Sequence, residues 1–415
     1  LSKIMNFCLI NSNKDYFILL FIIIFVFIKS CNPLNTSDIE GYSPIYGASD
    51  NYIGSDACIS CHKKIYTDYK KTAHYNTSKF LDSTNLKPGY LSKGQVFYGD
   101  SLWVHIDQKS DGIYQTAITH GKVAATHRID MVIGSGRKGQ TFFTWNDSSL
   151  YQLPLSYSVD YEKWINSPGY PSDKVIFNRS ITSKCFECHT SYTEHSLNNE
   201  NKVVFDKNRM ALTISCETCH GPASKHVQYY NENPLGKDNS LIINASKMTR
   251  NQSIDACAVC HSGNMKNKKS PFSFRTGDKL KDFFELSKDV TDIDSLDVHA
   301  NQYGLLKASE CFKKSEVIDC NSCHNVHQVE SNKTEIFAKR CMNCHNETKI
   351  NFCTAKGIET KQLIKNCINC HMPKKASNQI TFVTNKEGVK EVLNDSVRTH
   401  LIKVYIEKYN EYKNN

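Results

Sequence analysis

Apolar and polar residues alternate in short runs along the stretch from 81 to 180. The clearest run places Leu102, Val104 and Ile106 on one face, with polar and aromatic residues between them, which predicts a half-buried strand. Further strand candidates and turn signals are Ile113–Ile118, His127–Ile133, Thr141–Trp145, Asp111-Gly112 and Asn146-Asp147. We therefore expect a β-rich insertion, an antiparallel meander of about four to six strands.

The stretch from 181 to 375 shows no long apolar period, and it carries most copies of one motif, Cys-x-x-Cys-His. The chain contains seven copies: Cys58–His62, Cys185–His189, Cys216–His220, Cys257–His261, Cys320–His324, Cys341–His345 and Cys367–His371. This motif attaches c-type haem, because its two thiols bind the porphyrin covalently and its histidine binds the iron. The sequence therefore predicts seven covalent haem c groups.

The predicted covalent ligands are Cys58, Cys61, Cys185, Cys188, Cys216, Cys219, Cys257, Cys260, Cys320, Cys323, Cys341, Cys344, Cys367 and Cys370. The predicted proximal iron ligands are His62, His189, His220, His261, His324, His345 and His371. Zinc is the main alternative, but a zinc site does not need a histidine directly after each second cysteine. Disulfides are a second alternative, although so many vicinal pairs would make a poor structural framework.

Seven porphyrins change the expected fold, because each supplies apolar surface that a side-chain core would otherwise provide. The predicted fold class is mainly α and irregular, packed around haem, with the antiparallel β meander inserted. The expected segments are a signal peptide at 1–30, a tether at 31–55, a first haem segment at 56–80, the β-rich insertion at 81–180, a six-haem domain at 181–375 and a closing segment at 376–415.

The N-terminal apolar run Phe17–Ile28 follows Lys3 and Lys14 and is too short to span a bilayer comfortably. With Cys31 shortly after it, the run resembles a bacterial lipoprotein signal, in which Cys31 is acylated and becomes the first mature residue. An uncleaved membrane anchor is the alternative, because Lys29 is unusual at such a site. Both interpretations predict an exported protein, attached to a membrane and facing the periplasm or the cell surface.

The formal net charge of +9 is weak evidence for an anionic partner. Removing residues 1–30, with three lysines and one aspartate, leaves about +7, and fourteen propionates would bring the loaded protein near −7. Many basic residues are therefore expected to pair with propionates, and no nucleic-acid partner is predicted. The Gly134–Gly139 segment matches G-x-G-x-x-G, but strand-like residues follow it, so we expect a β-turn and no nucleotide site.

Nine of the sixteen histidines lie outside the motifs, enough to give each of seven irons a distal ligand. The distal candidates are His74, His226, His299, His327 and His400, followed by His195 and His127. His127 falls in step with buried Ile129, whereas His105 alternates away from the apolar face and His120 has little support. Alternative ligands are Met210, Met248 and Met265, which more often simply pack, and Cys311, for which a buried free thiol is favoured.

Several segments resemble the multihaem cytochrome superfamily, which includes hydroxylamine oxidoreductase, pentahaem nitrite reductase and the small tetrahaem carriers. These segments are Lys70–His74, Ser215–His226 with its Cys-His-Gly-Pro core, Val298-His299, Cys320–His327, Cys367–Pro373 and Arg398–Ile402. The resemblance covers 58–80 and 181–402, and 81–180 is similar only to the β insertion of uncharacterised members. It implies that His226 ligates a haem other than its own motif's, and that the segments with His74 and His299 supply distal ligands.

The chain departs from both enzymes of that superfamily. Nitrite reductase replaces one motif histidine by lysine, whereas all seven motifs here end in histidine. The crosslinking tyrosine of hydroxylamine oxidoreductase cannot be placed. We therefore expect an electron carrier between a quinol-linked membrane donor or other redox protein and a periplasmic or surface acceptor. The alternative is an oxidoreductase acting on a small nitrogen or sulfur oxyanion at a five-coordinate haem.

Overall fold

The computed structural model describes residues 52–81, 94–99, 101–237, 240–263, 265–286, 293, 296–330, 334–346, 348, 352–386 and 389–414. All of them fall within one compact unit, Pro44–Asn415. About 30% of the structure is helical and 29% is strand, with five antiparallel sheets in the part described. The prediction of a mainly α and irregular fold is therefore wrong.

The strands are β1 (Ser78–Phe80), β2 (Gln95–Gly99), β3 (Leu102–Lys109), β4 (Gly112–Thr119), β5 (Lys122–Arg128), β6 (Met131–Ile133), β7 (Gly139–Asn146), β8 (Ser149–Ser158), β9 (Lys163–Asn166), β10 (Arg179–Ser180), β11 (Tyr192–Leu197), β12 (Val203–Ala211), β13 (Lys266–Asn267), β14 (Phe284–Glu285), β15 (Lys374–Lys386) and β16 (Val389–Arg398). Strands occupy all four predicted stretches between 102 and 145. Their number between 95 and 180 exceeds the expected four to six.

The α-helices are α1 (Ile59–Tyr69), α2 (Ser183–Phe186), α3 (Cys216–His220), α4 (Ser224–Glu232), α5 (Arg250–His261), α6 (Gln302–Lys307), α7 (Glu310–Lys314), α8 (Thr334–Met342), α9 (Thr360–His371) and α10 (Ile406–Asn414). Four short 3₁₀ helices lie at Ser55–Cys58, Ala245–Lys247, Leu280–Asp282 and Cys320–Ser322. No helix in the described ranges is long and apolar enough to cross a membrane.

Two antiparallel sheets pack face to face and form a β sandwich. The smaller has the order β2-β3-β4-β5, and the larger has the order β1-β6-β7-β8-β10 with β9 beside β8. Val104 of the smaller sheet and Phe142, Leu153 and Leu155 of the larger are completely buried in the core they share. Gln115 joins the sheets, since its amide donates to Leu155 O and accepts from Leu155 N, both at 2.9 Å.

The larger sheet buries its other face as well, against the region of the haem motifs. Alternation along β6 sends Val132 into the sandwich, while Met131 and Ile133 pack on the opposite side with Phe186 and Phe205. This second face places the sandwich directly beside the second motif, because Phe186 lies within Cys185–His189.

The predicted strand His127–Ile133 is divided between β5 and β6, because Ile129 and Asp130 form a link between the two sheets. The predicted turn after β6 is confirmed: β6 and β7 pair antiparallel around it, with Gly134 at φ 111° and Gly136 at φ 73°. At Gly134 a side chain would clash with the backbone of Gly139.

Three hairpins among the haem motifs were not predicted, and they account for the error in fold class. They are β11–β12, β13–β14 and β15–β16. The longest, β15–β16, spans 374–398 and has exposed positions on both strands. Such hairpins lack the sustained apolar alternation of a half-buried strand, so the sequence pattern does not reveal them.

Candidate haem-binding cavity

A single continuous cavity of about 3460 Å³ runs through the region of the haem motifs. A pocket for one drug-sized ligand has a volume of only about 300–1,000 Å³. All seven motif histidines line the cavity, as do thirteen of the fourteen motif cysteines, with Cys61 outside the lining. The cavity therefore has the size and the donor groups to hold several porphyrins.

Helical turns present the motif cysteines to this cavity. The third motif is itself the helix α3, which Gly221 ends at φ 75°. The fourth and seventh motifs form the last turns of α5 and α9. Because an α-helix has 3.6 residues per turn, cysteines three residues apart lie on one face, as two thioether bonds to one porphyrin require.

Several motif histidines use Nδ1 in a hydrogen bond within the protein. Nδ1 lies 3.0 Å from Thr77 Oγ1 in His189, 2.9 Å from Ile243 O in His220, 3.2 Å from Gln302 Oε1 in His261 and 2.9 Å from Lys403 O in His371. A carbonyl oxygen only accepts, so Nδ1 of His220 and His371 is the protonated nitrogen. Nε2 is then left as the unprotonated donor for a metal.

Three spare histidines face motif histidines at the spacing of a shared metal. Two imidazoles that bind one metal from opposite sides, each at about 2 Å, place their ring centroids about 6 Å apart. The observed centroid separations are 6.1 Å for His74 and His261, 6.0 Å for His220 and His327, and 6.2 Å for His324 and His400. The angle between the rings is not restricted, because each ring can rotate about the metal–nitrogen axis.

Two further spare histidines are electrostatic neighbours of the remaining early motifs. Burial, followed by the nearby His299 and His261, lowers the pKa of His189 to about 4. Burial, followed by the nearby His62 and His220, lowers the pKa of His226. His189 and His226 are therefore neutral at pH 7, and the neutral ring is the form that binds a metal.

The cavity lining fits a propionate-bearing cofactor in two further respects. Nδ1 of His226 and Nδ1 of His400 are buried without a hydrogen-bond partner, so these rings are inserted without a protein acceptor to orient them. The lining also contains ten lysines and arginines but only five aspartates and glutamates. This cationic excess suits the carboxylates that a haem would bring.

The other candidate ligands lie away from the cavity. The ring of His127 stacks on Phe177 at 4.3 Å, and His195 lies beside Phe205 and Phe272. His105 is bound to Asp107, 2.8 Å away, and His120 lies in the β4–β5 turn. His127, ranked as a distal candidate on its buried-face pattern, is thus placed against an aromatic side chain and outside the cavity lining.

The remaining candidates divide between the cavity and the packed interior. Met210 packs in an apolar cluster, and Met265 packs in another cluster, accepts a hydrogen bond from Ser262 and also lines the cavity. Met248 and the half-buried free thiol of Cys311 line the cavity. Cys31, the predicted lipidation site, lies outside the described residues.

Contacts between thiols of different motifs are a feature that spacing along the chain did not reveal. Thiols of different motifs are electrostatic neighbours, and they link the first motif to the third, the second to the fourth, the fourth to the fifth and the sixth to the seventh, through Cys58–Cys216, Cys188–Cys260, Cys257–Cys320 and Cys341–Cys367. Each contact brings two haem-attachment edges together. Every described cysteine is a free thiol, so these pairs are not disulfides.

A buried carboxylate, Glu217, holds two motifs together, and the sequence pattern did not reveal it. Glu217, only 1% exposed, accepts hydrogen bonds from the backbone nitrogens of Ile53, Gly54 and Ala223 at 2.8 to 3.0 Å. It thereby ties the start of the first motif segment to the third motif.

Zinc, the alternative occupant of the motifs, would need four ligands around one point. The described residues include no group of three metal-binding side chains so arranged.

Comparison with known proteins finds similarity to cytochromes. Residues 57–93 and 169–221 match the sequence model of the family described as cytochrome c554 and c-prime. The crystal structure of the outer cell wall cytochrome OcwA matches with a TM-score of 0.51 and 17% identity, covering 88% of this chain and 82% of that one. No curated protein is significantly similar to this chain in sequence.

A second solved structure is the undecahaem cytochrome from the S-layer of Carboxydothermus ferrireducens. It matches with a TM-score of 0.38 and 15% identity over 86% of this chain, which covers 58% of that protein. The family match and the fold shared with OcwA support a multihaem c-type cytochrome with covalently bound haem c.

Proposed function

We propose that this chain is an exported, membrane-attached cytochrome with seven haem c groups, which carries electrons between a quinol-linked membrane donor or another redox protein and a periplasmic or cell-surface acceptor. The observation that carries the proposal is the continuous cavity that all seven motifs line, with thiols of different motifs as close neighbours. When bound, haem c supplies a one-electron iron couple at each motif.

The thiol contacts support one connected path through the motifs. The four neighbouring thiol pairs join motifs one to three, two to four, four to five and six to seven. Two electrostatic neighbour pairs close the gaps: Cys219 with Cys260 joins the third motif to the fourth, and Cys323 with Cys341 joins the fifth to the sixth. Because electron tunnelling falls steeply with distance, porphyrin edges held this close suit a carrier.

The histidine pairs support low redox potentials along most of this path. Pairs His62–His226, His189–His299, His220–His327, His261–His74 and His324–His400 would give the first five motifs two imidazoles each. Bis-histidine ligation keeps the potential of haem iron low, whereas a distal methionine would raise it. A low-potential chain fits a donor at the level of quinol.

Attachment to a membrane rests on the sequence around Cys31 and on the nature of the structural relative. Cys31 follows the apolar run Phe17–Ile28 as in a lipoprotein signal. The relative OcwA is an outer cell wall cytochrome, which agrees with a place outside the cytoplasm. Lipid attachment would leave the whole described body free to meet an acceptor.

Intact-mass spectrometry of the protein purified from membranes tests the proposal. We expect a mass that includes seven haems and a lipid on Cys31, and reversible reduction of the haem absorption bands by a low-potential donor. The Cys31→Ala variant should move to the soluble fraction with its haem content unchanged. Fewer than seven haems, or a membrane-bound Cys31→Ala protein, would contradict the count or the anchor respectively.

A further inference from the structure

The histidines of the chain are distributed unevenly among the motifs. All sixteen lie in the described part, and five of the nine outside the motifs line the cavity. Those five face or neighbour the motif histidines of the first five motifs. The other four, His105, His120, His127 and His195, lie outside the lining. His371 of the seventh motif is therefore left without a spare histidine from this chain. His345 of the sixth motif, in contrast, makes a further contact within the protein.

The seventh motif is nevertheless prepared to hold an iron on its proximal side. Nδ1 of His371 donates to Lys403 O at 2.9 Å, which directs Nε2 to the metal. Arg398 fixes the end of the helix that carries the motif, donating to the carbonyls of Ile368 and Met372 at 3.1 Å and to Asn369 Oδ1 at 2.7 Å. The proximal ligand is thus rigidly placed.

Among the described residues near the seventh motif, Met372, Cys353 and three lining tyrosines are engaged or badly placed to act as a distal ligand. Met372 directly follows His371, so its side chain cannot reach the opposite face of the same porphyrin. Cys353 lies beside Cys370, at the attachment edge. The three lining tyrosines use their hydroxyls in hydrogen bonds, Tyr405 to Leu401 O, Tyr409 to Lys356 O and Tyr412 with Asn366.

The charge of this end of the cavity indicates the class of ligand. The lining between residues 352 and 412 includes the cations Lys356, Lys374, Arg398 and Lys403. Its one acidic member, Asp395, is bound to Lys138, 3.3 Å away. A site with excess positive charge beside a ferric iron favours a small anion over a neutral donor.

We propose that the iron held by Cys367, Cys370 and His371 has an open distal position, and that this position binds a small anionic ligand of the nitrite or azide type. The proposal rests on the proposed function, since it requires haem at the seventh motif. It turns one end of the electron path into a site where a small molecule meets the iron.

Electron paramagnetic resonance of the oxidised, fully haem-loaded protein tests the proposal. We expect a high-spin ferric signal that converts to low spin when azide or nitrite is added, and carbon monoxide binding after reduction. The His371→Met variant should alter the high-spin signal. The control variant His120→Gln, at a histidine in the β4–β5 turn outside the cavity lining, should leave it unchanged.

A second variant tests the charge of the site without disturbing the iron ligand. Lys403→Gln should weaken azide binding roughly five-fold, the effect of one nearby charge in a hydrated site. Carbon monoxide binding, which is insensitive to charge, should not change, and neither affinity should change in Lys202→Gln on the distant β11–β12 hairpin.

Three results would overturn the proposal: only low-spin signals in the loaded protein, a high-spin signal that persists unaltered in His371→Met, or azide affinity equal in Lys403→Gln and wild type. Haem content and reversible reduction are measured on the same sample. A protein with seven haems and only low-spin irons would contradict the open site but remain consistent with an electron carrier. A protein without haem would contradict the proposed function itself.

Discussion

The β sandwich and the region of the haem motifs have opposite interiors. Between the two sheets, Val104, Phe142, Leu153 and Leu155 are completely buried and form an ordinary side-chain core. Among the motifs, buried apolar side chains form only small clusters, and the interior is a cavity of about 3460 Å³ lined by histidine and cysteine. One part of the chain thus supplies its own core, and the other part is built to receive one.

The largest expected difference between the two regions is in how their folding depends on haem attachment. In cells that lack the machinery for covalent haem attachment, the motif region cannot fill its cavity, so we expect it to remain unfolded while the sandwich folds. Limited proteolysis with mass spectrometry should then show cleavage throughout 181–375 and protection of 101–180. The haem-loaded protein, protected in both regions, is the control. A haem-free motif region that resists protease would contradict the idea that only this region needs haem in order to fold.

A core substitution in the sandwich should destabilise the sandwich and leave the motif region unaffected. Phe142→Ala removes a completely buried ring that packs on Trp164 with centroids 5.2 Å apart. We expect a loss of about 3–5 kcal/mol in the free energy of unfolding of the sandwich. Denaturant unfolding followed by tryptophan fluorescence measures it. Phe97→Ala, at a ring that is 41% exposed, should cost far less, and equal losses would show that the core is misidentified.

In the motif region, stability should depend on polar residues that hold the motifs together. Glu217→Gln keeps the shape of the side chain but turns one acceptor into a donor facing a backbone N–H. Its two oxygens accept three backbone hydrogen bonds, so we expect a loss of about 1–3 kcal/mol. Unfolding followed by the haem absorption band measures it. Glu232→Gln on the exposed end of α4 is the matched control, and equal effects would contradict a bridging role for Glu217.

The smallest expected effects come from breaking ion pairs in the motif region, one largely buried and one on the surface. Arg340 binds both carboxylate oxygens of Glu330, which is 8% exposed, at 3.0 and 2.5 Å and also donates to Cys323 O. Arg340→Met leaves that carboxylate uncompensated, and we expect a loss of about 1–2 kcal/mol, because Arg340 keeps some access to water. Lys365→Met breaks the exposed pair with Glu335, 3.1 Å, and should cost less than about 0.5 kcal/mol. Thermal unfolding of both variants at one salt concentration separates the two cases.

The two regions also differ in how much their sequences reveal. Alternation around Val104 predicted strands because a side-chain core imposes a period of two on the residues that build it. The motif region imposes no such period, since its core is a cofactor, and the hairpins β11–β12 and β15–β16 were therefore missed. Among the ligands, motif residues follow from spacing alone. The facing of His74 with His261, or of His400 with His324, depends on contacts between distant segments, which spacing cannot encode.

The bridge made by Glu217 has a consequence for how the protein is made. Ile53 and Glu217 are 164 residues apart in the chain, yet they must meet to close the wall between the first and third motifs. In the proposed exported cytochrome, the first motif would emerge before the third, and the contact with Glu217 would form later. Haem would therefore be attached to Cys58 and Cys61 before that contact exists. The wall between the first and third motifs would then close only after the third motif has emerged.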